Sequence, residues 1–187
     1  PLPFAETIMA RGMLAAQGAT VPAGAAIVLA PLSAVIPGGR FARHALVDRA
    51  GVPTLVTATA AGEDIFGTGG ATVIEQGDTL AVLAPAPDAV LLAAAAVAAG
   101  LMAGAMARVL EMSLRYASER QQFGRSLGKF QAIQQQLAVL AEQVLSAQVA
   151  ARNAFVDMTF DPIRVAAAKC RANEAAGTAC NIAHAIH

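Results

Sequence analysis

The stretch Tyr116–Gln134 reads YASERQQFGRSLGKFQAIQ and joins two long helical segments of the chain. The apolar spacing predicts one helix that ends near Glu119 and a second that begins near Phe130. Gly124 lies between them and lets the backbone turn tightly. We therefore expect a helical hairpin whose corner carries polar and aromatic side chains.

The side chains at this corner suit an anionic ligand. Arg120 is a fixed positive charge that can bind a diphosphate through charge-assisted hydrogen bonds. Gln122 and Gln131 supply amide groups, and Phe123 is a rigid apolar anchor beside them. The alternative is a purely structural hairpin in which Arg120 pairs with Glu119 or another acid, as surface charges often do. Spacing alone favours that structural interpretation.

The chain from residue 88 onward has the pattern of a helical bundle. Helices are predicted over about 88–119 and 130–155, and a third from Asp161-Pro162, a cap and first-turn signature, to His187. Asp88 is the predicted cap of the first helix. Short connections between long helices indicate an antiparallel bundle, without an obvious fourth member in this chain.

The chain before residue 88 has a different sequence pattern. From Ala25 to Pro87, short apolar runs alternate with Gly and Pro, which is typical of strands. The run Glu75–Thr79 predicts a tight hairpin between two of them. The glycines at 67, 69 and 70 predict a turn rather than a phosphate loop, because no Lys-Ser/Thr follows. Residues 1–17 predict a helix with one face formed by Phe4, Ile8, Met9 and Met13.

Composition excludes several classes of protein. The 187 residues have a net charge of zero, and 56% are hydrophobic, which excludes intrinsic disorder and argues against nucleic acid as the main partner. Cys170 and Cys180 lack metal-site spacing, and His184 and His187 lack a third ligand, so no metal site is predicted. Thiols of this kind and the absence of a leader at the start predict a cytoplasmic protein.

One uncharged segment has the length of a membrane span. Residues 89–107 carry no charge, and a bilayer needs about 20 such residues. Ala and Gly dominate, however, and neither an aromatic belt nor a flanking basic cluster is present. We predict a helix buried on most sides within a bundle, and no membrane partner.

The corner motif resembles the signature of the acyl-CoA dehydrogenases. That family carries "Y…R.QFG" followed by "FQ.iQ..lA" at the junction of two long helices, and here Tyr116–Gly124 and Phe130–Gln134 are similar to it. The likeness extends to Ala166–Lys169 and to Ile186-His187. The start, PLPFAET at residues 1–7, is similar to a segment of shorter, divergent subunits of heteromeric bacterial acyl-CoA dehydrogenases, including those that act on steroid side chains.

The resemblance implies an α+β fold. Residues 1–24 would be the end of an N-terminal helical domain and its connector. Residues 25–87 would form the middle β-domain, a small sheet or barrel-like unit. Residues 88–187 would form a long-helix bundle of the acyl-CoA dehydrogenase C-terminal type, incomplete at its end. The chain would thus keep a remnant N-terminal helix before its two larger parts.

The resemblance also implies a cofactor. In the family, FAD lies between the β-domain and the helical domain, and its ADP portion reaches a neighbouring subunit. Carried over to this sequence, Arg120, Gln122 and Gln131 contact that ADP portion, and Phe123 packs nearby. An arginine fork on a diphosphate is a physically sensible role for Arg120.

No catalytic residue can be assigned from the resemblance. The family removes a proton beside a thioester with a Glu base and passes a hydride to the flavin. One family position for that Glu lies near the start of the first bundle helix, but Val90–Gly100 contains none. The other position lies beyond His187. We therefore expect the base in a further part of the protein or in a partner subunit.

The resemblance implies an oligomer, expected to be a tetramer, homomeric or formed with a related longer subunit, that acts on an acyl-CoA or steroid-CoA thioester. The first alternative is a non-catalytic scaffold subunit that binds neither flavin nor substrate. The intact set of Arg120, Gln122 and Gln131 argues against it, because a scaffold does not need these residues. The second alternative is an unrelated Ala-rich helical protein with a chance motif.

Overall fold

A computed structural model describes residues 3–31, 36–61, 72–157 and 159–187. These residues divide into two compact units. The first contains the chain up to Val97 together with Thr159 and Phe160, and the second contains Ala98–Asp157 and Asp161–His187. The predicted domain boundaries at residues 24 and 87 stay predictions. The predicted turn at glycines 67, 69 and 70 lies outside the described residues.

In the described residues, the first unit contains the helix α1, a four-stranded sheet and the start of a further long helix at Ala89. The strands follow one another across the sheet in chain order, the first pair parallel and the other pairs antiparallel. Small and β-branched side chains such as Val28, Val47 and Val56 fill its core, as expected of a pleated, half-buried surface. The bounds are α1 Phe4–Ala16, β1 Ile27–Ala30, β2 His44–Arg49, β3 Val52–Ala61 and β4 Val73–Val82.

The predicted face of α1 is only partly right. Met9 and Met13 are buried, but Phe4 and Ile8 are 68% and 70% exposed. The hydroxyl of Thr7 donates to the Ile27 carbonyl and accepts from the Ile27 N–H, both at 3.0 Å. This anchoring turns the Ala10 and Leu14 side of the helix inward, so the two larger side chains remain outside.

The predicted hairpin at Glu75–Thr79 is wrong, because β4 runs through it as one strand. Val56 pairs with Thr79 and Ala58 with Gln76, so two residues of β4 lie opposite Thr57 alone. This is a β-bulge, which glycine often marks inside a strand. A Cβ on Gly77 would lie 2.4 Å from Thr57 Oγ1. Gly77 therefore permits a close approach between strands rather than a chain reversal.

A tight turn joins β2 to β3. Ala50 and Gly51 have φ values of 54° and 81°, and Arg49 pairs with Val52 on either side of them. Two central residues with positive φ are typical of the tight turns that match strand twist. The carboxylate of Asp48 accepts a hydrogen bond of 2.9 Å from the Gly51 N–H and stabilises the turn.

Three long helices follow, with bounds close to the predicted ones: α2 Ala89–Glu119, α3 Gln131–Ala154 and α4 Pro162–Ile186. The core of the second unit consists largely of alanine at the α3–α4 contact, including Ala147, Ala151, Ala175 and Ala179. Such small side chains allow helix axes to approach closely. The described residues thus form a small sheet region followed by long helices, which confirms the predicted α+β fold class.

The cap predicted for α2 is not made by a side chain. Asp88 directly precedes the helix, and its carbonyl accepts from the Leu92 N–H at 2.8 Å. Its φ of 61° departs from the extended conformation in which an N-cap side chain reaches the helix N–H groups. The Asp88 carboxylate makes no hydrogen bond to any described residue.

The cap predicted for α4 is confirmed. The carboxylate of Asp161 accepts a hydrogen bond of 2.9 Å from the Arg164 N–H, and Pro162 occupies the first turn. We expect Asp161→Ala to lower the free energy of unfolding by about 1 kcal/mol, because an N–H of the first turn loses its partner. Denaturant unfolding measures this loss. Asp161→Asn retains an acceptor oxygen and should stay near wild type; equal losses in both variants would contradict the capping role.

The described residues of this chain cover α2 only in part. Among the described residues it is the one helix long and apolar enough to cross a membrane, but core helices of water-soluble proteins pass the same test. Only 39% of its most apolar window is buried. Leu101, Met112 and Leu114 are between 45% and 54% exposed. The described residues therefore bury α2 only in part, and its burial on most sides stays a prediction.

Candidate functional site

The predicted corner is a miniature hairpin between α2 and α3. The strands β5, Gln121–Gln122, and β6, Arg125–Ser126, pair antiparallel, and the N–H of Leu127 donates to the Arg120 carbonyl at 2.9 Å. A short 3-10 turn, Leu127–Lys129, leads into α3. The backbone does reverse at Gly124, whose φ is 75°.

Phe123 is held at the tip of this hairpin in an unusual conformation. Its φ is 51°, in the left-handed region that costs a non-glycine residue about 1–2 kcal/mol. Its ring is 90% exposed and touches the Phe130 ring edge to face, with centroids 6.2 Å apart. Backbone strain of this kind clusters at functional sites, so Phe123 stays a predicted site residue.

Arg120 is exposed and makes no ion pair or side-chain hydrogen bond with any described residue. Glu119 likewise pairs with no described residue. The structural alternative, in which Arg120 pairs with an acid of its own chain, is therefore not found in the described part of the chain. The guanidinium remains available to an external anion.

The two glutamines lie on the same corner. Gln122 belongs to β5, and Gln131 is the first residue of α3; both are exposed, and neither side chain is hydrogen-bonded to a described residue. Phe130, which precedes α3, provides no side-chain cap. The first N–H groups of α3 are thus uncapped, and such helix starts favour anions.

A cation–π contact stabilises the base of the corner. The guanidinium carbon of Arg125 lies 4.1 Å from the centroid of the Phe130 ring, within the range at which such pairs attract. The sequence does not predict this contact, because residues five apart across a turn follow no helical or strand period. Phe130 thus contacts both Arg125 and Phe123, whereas the Arg120 side chain makes no such contact with a described residue.

The C-terminal end of α4 lies at the same end of the bundle as the corner between α2 and α3. His187 Nε2 is 3.2 Å from the hydroxyl oxygen of the fully buried Ser113. The His187 ring stacks on Tyr116 at 4.5 Å between centroids, and the Tyr116 hydroxyl donates to the His187 carbonyl at 3.4 Å. Tyr116 precedes Arg120 by about one helical turn, so His187 lies close to the corner along α2. In the described part of the chain no three candidate ligands form a metal-binding group.

A groove of about 540 Å³ lies beside the corner. The floor of the groove is apolar and is formed by Ala117 of α2 and by Leu137 and Ala138 of α3. Ser126, Lys129 and other polar groups lie at the end nearest the hairpin. The corner can therefore offer an anion-binding charge, amide donors and an apolar surface within a few residues of each other.

Comparison with known sequences identifies the class of protein. A sequence model described as "Acyl-CoA dehydrogenase, C-terminal domain" matches residues 89–187, just over half of the chain. The chain therefore belongs to the acyl-CoA dehydrogenase family. It is 40% identical over 92 residues to "Probable acyl-CoA dehydrogenase YngJ" of Bacillus subtilis (strain 168), a match that covers 48% of this chain and 24% of that protein.

Solved structures confirm the fold. A variant of the Tcur3481-Tcur3483 steroid ACAD superposes with a TM-score of 0.80 at 23% identity and covers 100% of this chain and 65% of that chain. The ChsE4-ChsE5 complex from Mycobacterium tuberculosis gives a TM-score of 0.69 at 21% identity, covering 99% and 65%. This chain thus spans about two thirds of each of those chains and about a quarter of the curated relative. At these identities the structural likeness concerns the fold alone.

Proposed function

We propose that this chain is a subunit of an FAD-dependent acyl-CoA dehydrogenase and that its α2–α3 corner contacts the ADP portion of FAD held by a neighbouring subunit. One observation carries the proposal. Arg120, Gln122, Phe123 and Gln131 match the family signature. All four are exposed at the corner between α2 and α3, and the side chains of Arg120, Gln122 and Gln131 form no hydrogen bond or ion pair with a described residue.

The chemistry of the corner fits a dinucleotide diphosphate. A guanidinium binds phosphate oxygens with two parallel hydrogen bonds, and the uncapped start of α3 favours the same negative charge. The amides of Gln122 and Gln131 can donate to the remaining oxygens, and Phe123 can cover the apolar face of the ligand. When bound, FAD would supply the acceptor for the substrate hydride.

We propose that the substrate is an acyl-CoA or steroid-CoA thioester. Family membership and the names of the structural neighbours, a steroid ACAD among them, support this class. The start of α2 contains no Glu, so we propose that the catalytic base comes from outside residues 1–187. This chain then holds and orients the cofactor, and the proton is removed elsewhere in the assembly.

We propose an assembly of this chain with further subunits in the cytoplasm, expected to be a tetramer, homomeric or two-plus-two with a related longer subunit. The exposed apolar residues of α2 support it, because large apolar surface that a chain does not cover itself often marks an interface. Subunits rather than lipid are expected to cover this surface, since α2 lacks the aromatic and basic flanks of a membrane span.

The proposal is tested by flavin content. The chain is purified alone and with each candidate related subunit, and FAD released from the folded assembly is measured per chain. We expect FAD in at least one combination, with reduction of the flavin when an acyl-CoA or steroid-CoA is added. An assembly that forms without flavin in every combination would support the scaffold alternative instead.

Phe123 gives a prediction that separates binding from folding. Phe123→Asn should lower FAD retention several-fold, because the exposed ring is lost. The free energy of unfolding should change by less than about 1 kcal/mol, since Asn tolerates positive φ and this offsets the lost contact with Phe130. Flavin content and denaturant unfolding check the two parts. A large loss of stability with unchanged flavin content would assign Phe123 to the fold alone.

A further inference from the structure

The hairpin at the corner places a second arginine beside Gln122. Gln122 of β5 and Arg125 of β6 lie directly opposite each other in the antiparallel pair, and Phe123 and Gly124 form the turn between them. Opposed residues of such a pair project their side chains from the same face, with Cβ atoms about 5 Å apart. Arg125 therefore shares a face of the hairpin with a residue proposed to contact the ADP portion of FAD. The family resemblance itself assigns no role to Arg125.

Phe130 holds the Arg125 guanidinium at the start of α3. The guanidinium carbon lies over the Phe130 ring, 4.1 Å from its centroid, where the electron-rich face of an aromatic ring attracts a cation. Arg125 is exposed, and its side chain forms no hydrogen bond or ion pair with a described residue. With respect to the described residues, its five N–H donors are available to a ligand. An arginine that is oriented in this way loses little conformational freedom when it binds an anion.

The corner carries an excess of positive charge. Residues 119–131 contain Arg120, Arg125 and Lys129 against one acid, Glu119, and none of the four forms an ion pair with a described residue. Cations that lack a carboxylate partner repel one another, and an anionic ligand between them offsets that repulsion. A guanidinium fork matches one phosphate group, whereas a diphosphate has two. Arg120 alone would leave the second phosphate group of FAD without a guanidinium.

We propose that Arg125 is a second phosphate-binding arginine of the corner and that Phe130 is the residue that positions it. Arg120 then binds one phosphate group of the FAD diphosphate, and Arg125 binds the other beside Gln122. The Phe130 ring keeps the Arg125 guanidinium in place. The inference rests on the proposed function, because it concerns the same FAD held by a neighbouring subunit.

Two substitutions of Arg125 test the phosphate contact in the FAD-loaded assembly. Arg125→Gln removes the charge and should lower FAD affinity about tenfold, because a hydrogen bond to a charged group is lost. Arg125→Lys keeps the charge but not the fork, so its affinity should lie between those of Arg125→Gln and wild type. The affinity of wild type should fall more steeply with rising salt than that of Arg125→Gln, since salt screens the contact that the variant lacks. Fluorescence titration of the flavin measures these affinities.

Arg152→Gln is the matched control for the loss of charge. Arg152 is an exposed arginine near the end of α3 without an ion-pair partner among the described residues. Its substitution removes the same charge outside the corner, so FAD affinity and its salt dependence should match those of wild type. If Arg125→Gln equals this control in both measurements, Arg125 does not bind a phosphate group and the inference is overturned.

A double-mutant cycle tests the positioning role of Phe130. Phe130→Leu keeps an apolar side chain but removes the aromatic face, and should lower FAD affinity about threefold in the wild-type background. In the Arg125→Gln background the same change should have a smaller effect, because no guanidinium is left to position. Equal effects in the two backgrounds would mean that Phe130 acts independently of Arg125, and its positioning role would be overturned.

Arg120→Ala separates this inference from the proposed function. If Arg120→Ala lowers FAD affinity and Arg125→Gln does not, the corner binds FAD without Arg125, and the inference alone fails. If neither variant changes the affinity, the corner does not contact FAD, and the proposed function fails as well. Lower affinity in both variants, with melting temperatures near wild type and a reduced salt dependence for Arg125→Gln, would support both.

Discussion

Replacing Arg120 with alanine is expected to lower the FAD affinity of the assembled protein by about ten- to hundredfold. A charge-assisted hydrogen bond contributes on the order of 1.5–3 kcal/mol, and each 1.4 kcal/mol is about a factor of ten in affinity. The free energy of unfolding should change by less than about 1 kcal/mol, because Arg120 is exposed and pairs with no described residue. The FAD-to-protein ratio after dilution and the melting temperature measure the two effects.

Arg115→Ala is the matched control for this change. Arg115 is also an exposed arginine near the end of α2 without an ion-pair partner among the described residues, so it should affect neither flavin retention nor stability. If Arg120→Ala keeps wild-type flavin occupancy under dilution, the assignment of Arg120 to the cofactor is wrong. A loss of stability with unchanged flavin would instead favour a structural role.

The largest effect on folding is expected from Leu140→Ala. Leu140 is fully buried in the core that α3 shares with α4, and deletion of a buried leucine leaves a cavity. The expected loss is about 2–5 kcal/mol in the free energy of unfolding. For a chain of this size, each kcal/mol lowers the melting temperature by about 2–4 °C.

Leu145→Ala provides the comparison on the same helix. Leu145 is the same residue type five positions later, but its side chain is 59% exposed. Measured at a dilution at which the protein does not self-associate, its loss should stay below about 1 kcal/mol. Similar losses in the two variants would mean that the core face of α3 has been assigned wrongly.

The helices could be predicted from the sequence because their signals are local. Asp161-Pro162 marks the start of α4 within the chain itself, and the observed cap bond to Arg164 is the interaction that the signature predicts. The end of α2 and the start of α3 follow from Gly124 and from the apolar period. Local propensity and tertiary packing agree in these segments, so the pattern is sufficient.

The pairing of the strands and the inward-facing side of α1 could not be predicted, because both depend on residues that are distant in the chain. Gly77 has the signal of a turn, but Thr57 on the neighbouring strand explains why a glycine is needed there. Likewise, the hydrogen bonds between Thr7 and Ile27, twenty residues apart, determine which side of α1 faces inward. A single sequence does not indicate which strand pairs with a given strand or which element packs against a given helix.

The residues of the candidate site could be named from the family resemblance, but their geometry could not. No local signal predicts the positive φ of Phe123 or the lack of an ion-pair partner for Arg120 among the described residues. The contacts of His187 with Ser113 and Tyr116 join residues more than seventy positions apart. These contacts bring the end of α4 to the corner, which sequence spacing alone does not reveal.

The most direct measurement is an experimental structure of the FAD-loaded assembly. It should show the Arg120 guanidinium hydrogen-bonded at about 2.7–2.9 Å to diphosphate oxygens of FAD held by a neighbouring subunit, with Gln122, Phe123 and Gln131 around the same ADP portion. FAD bound with its diphosphate away from this corner, or Arg120 paired with an acid while FAD is bound, would contradict the proposed role of the chain.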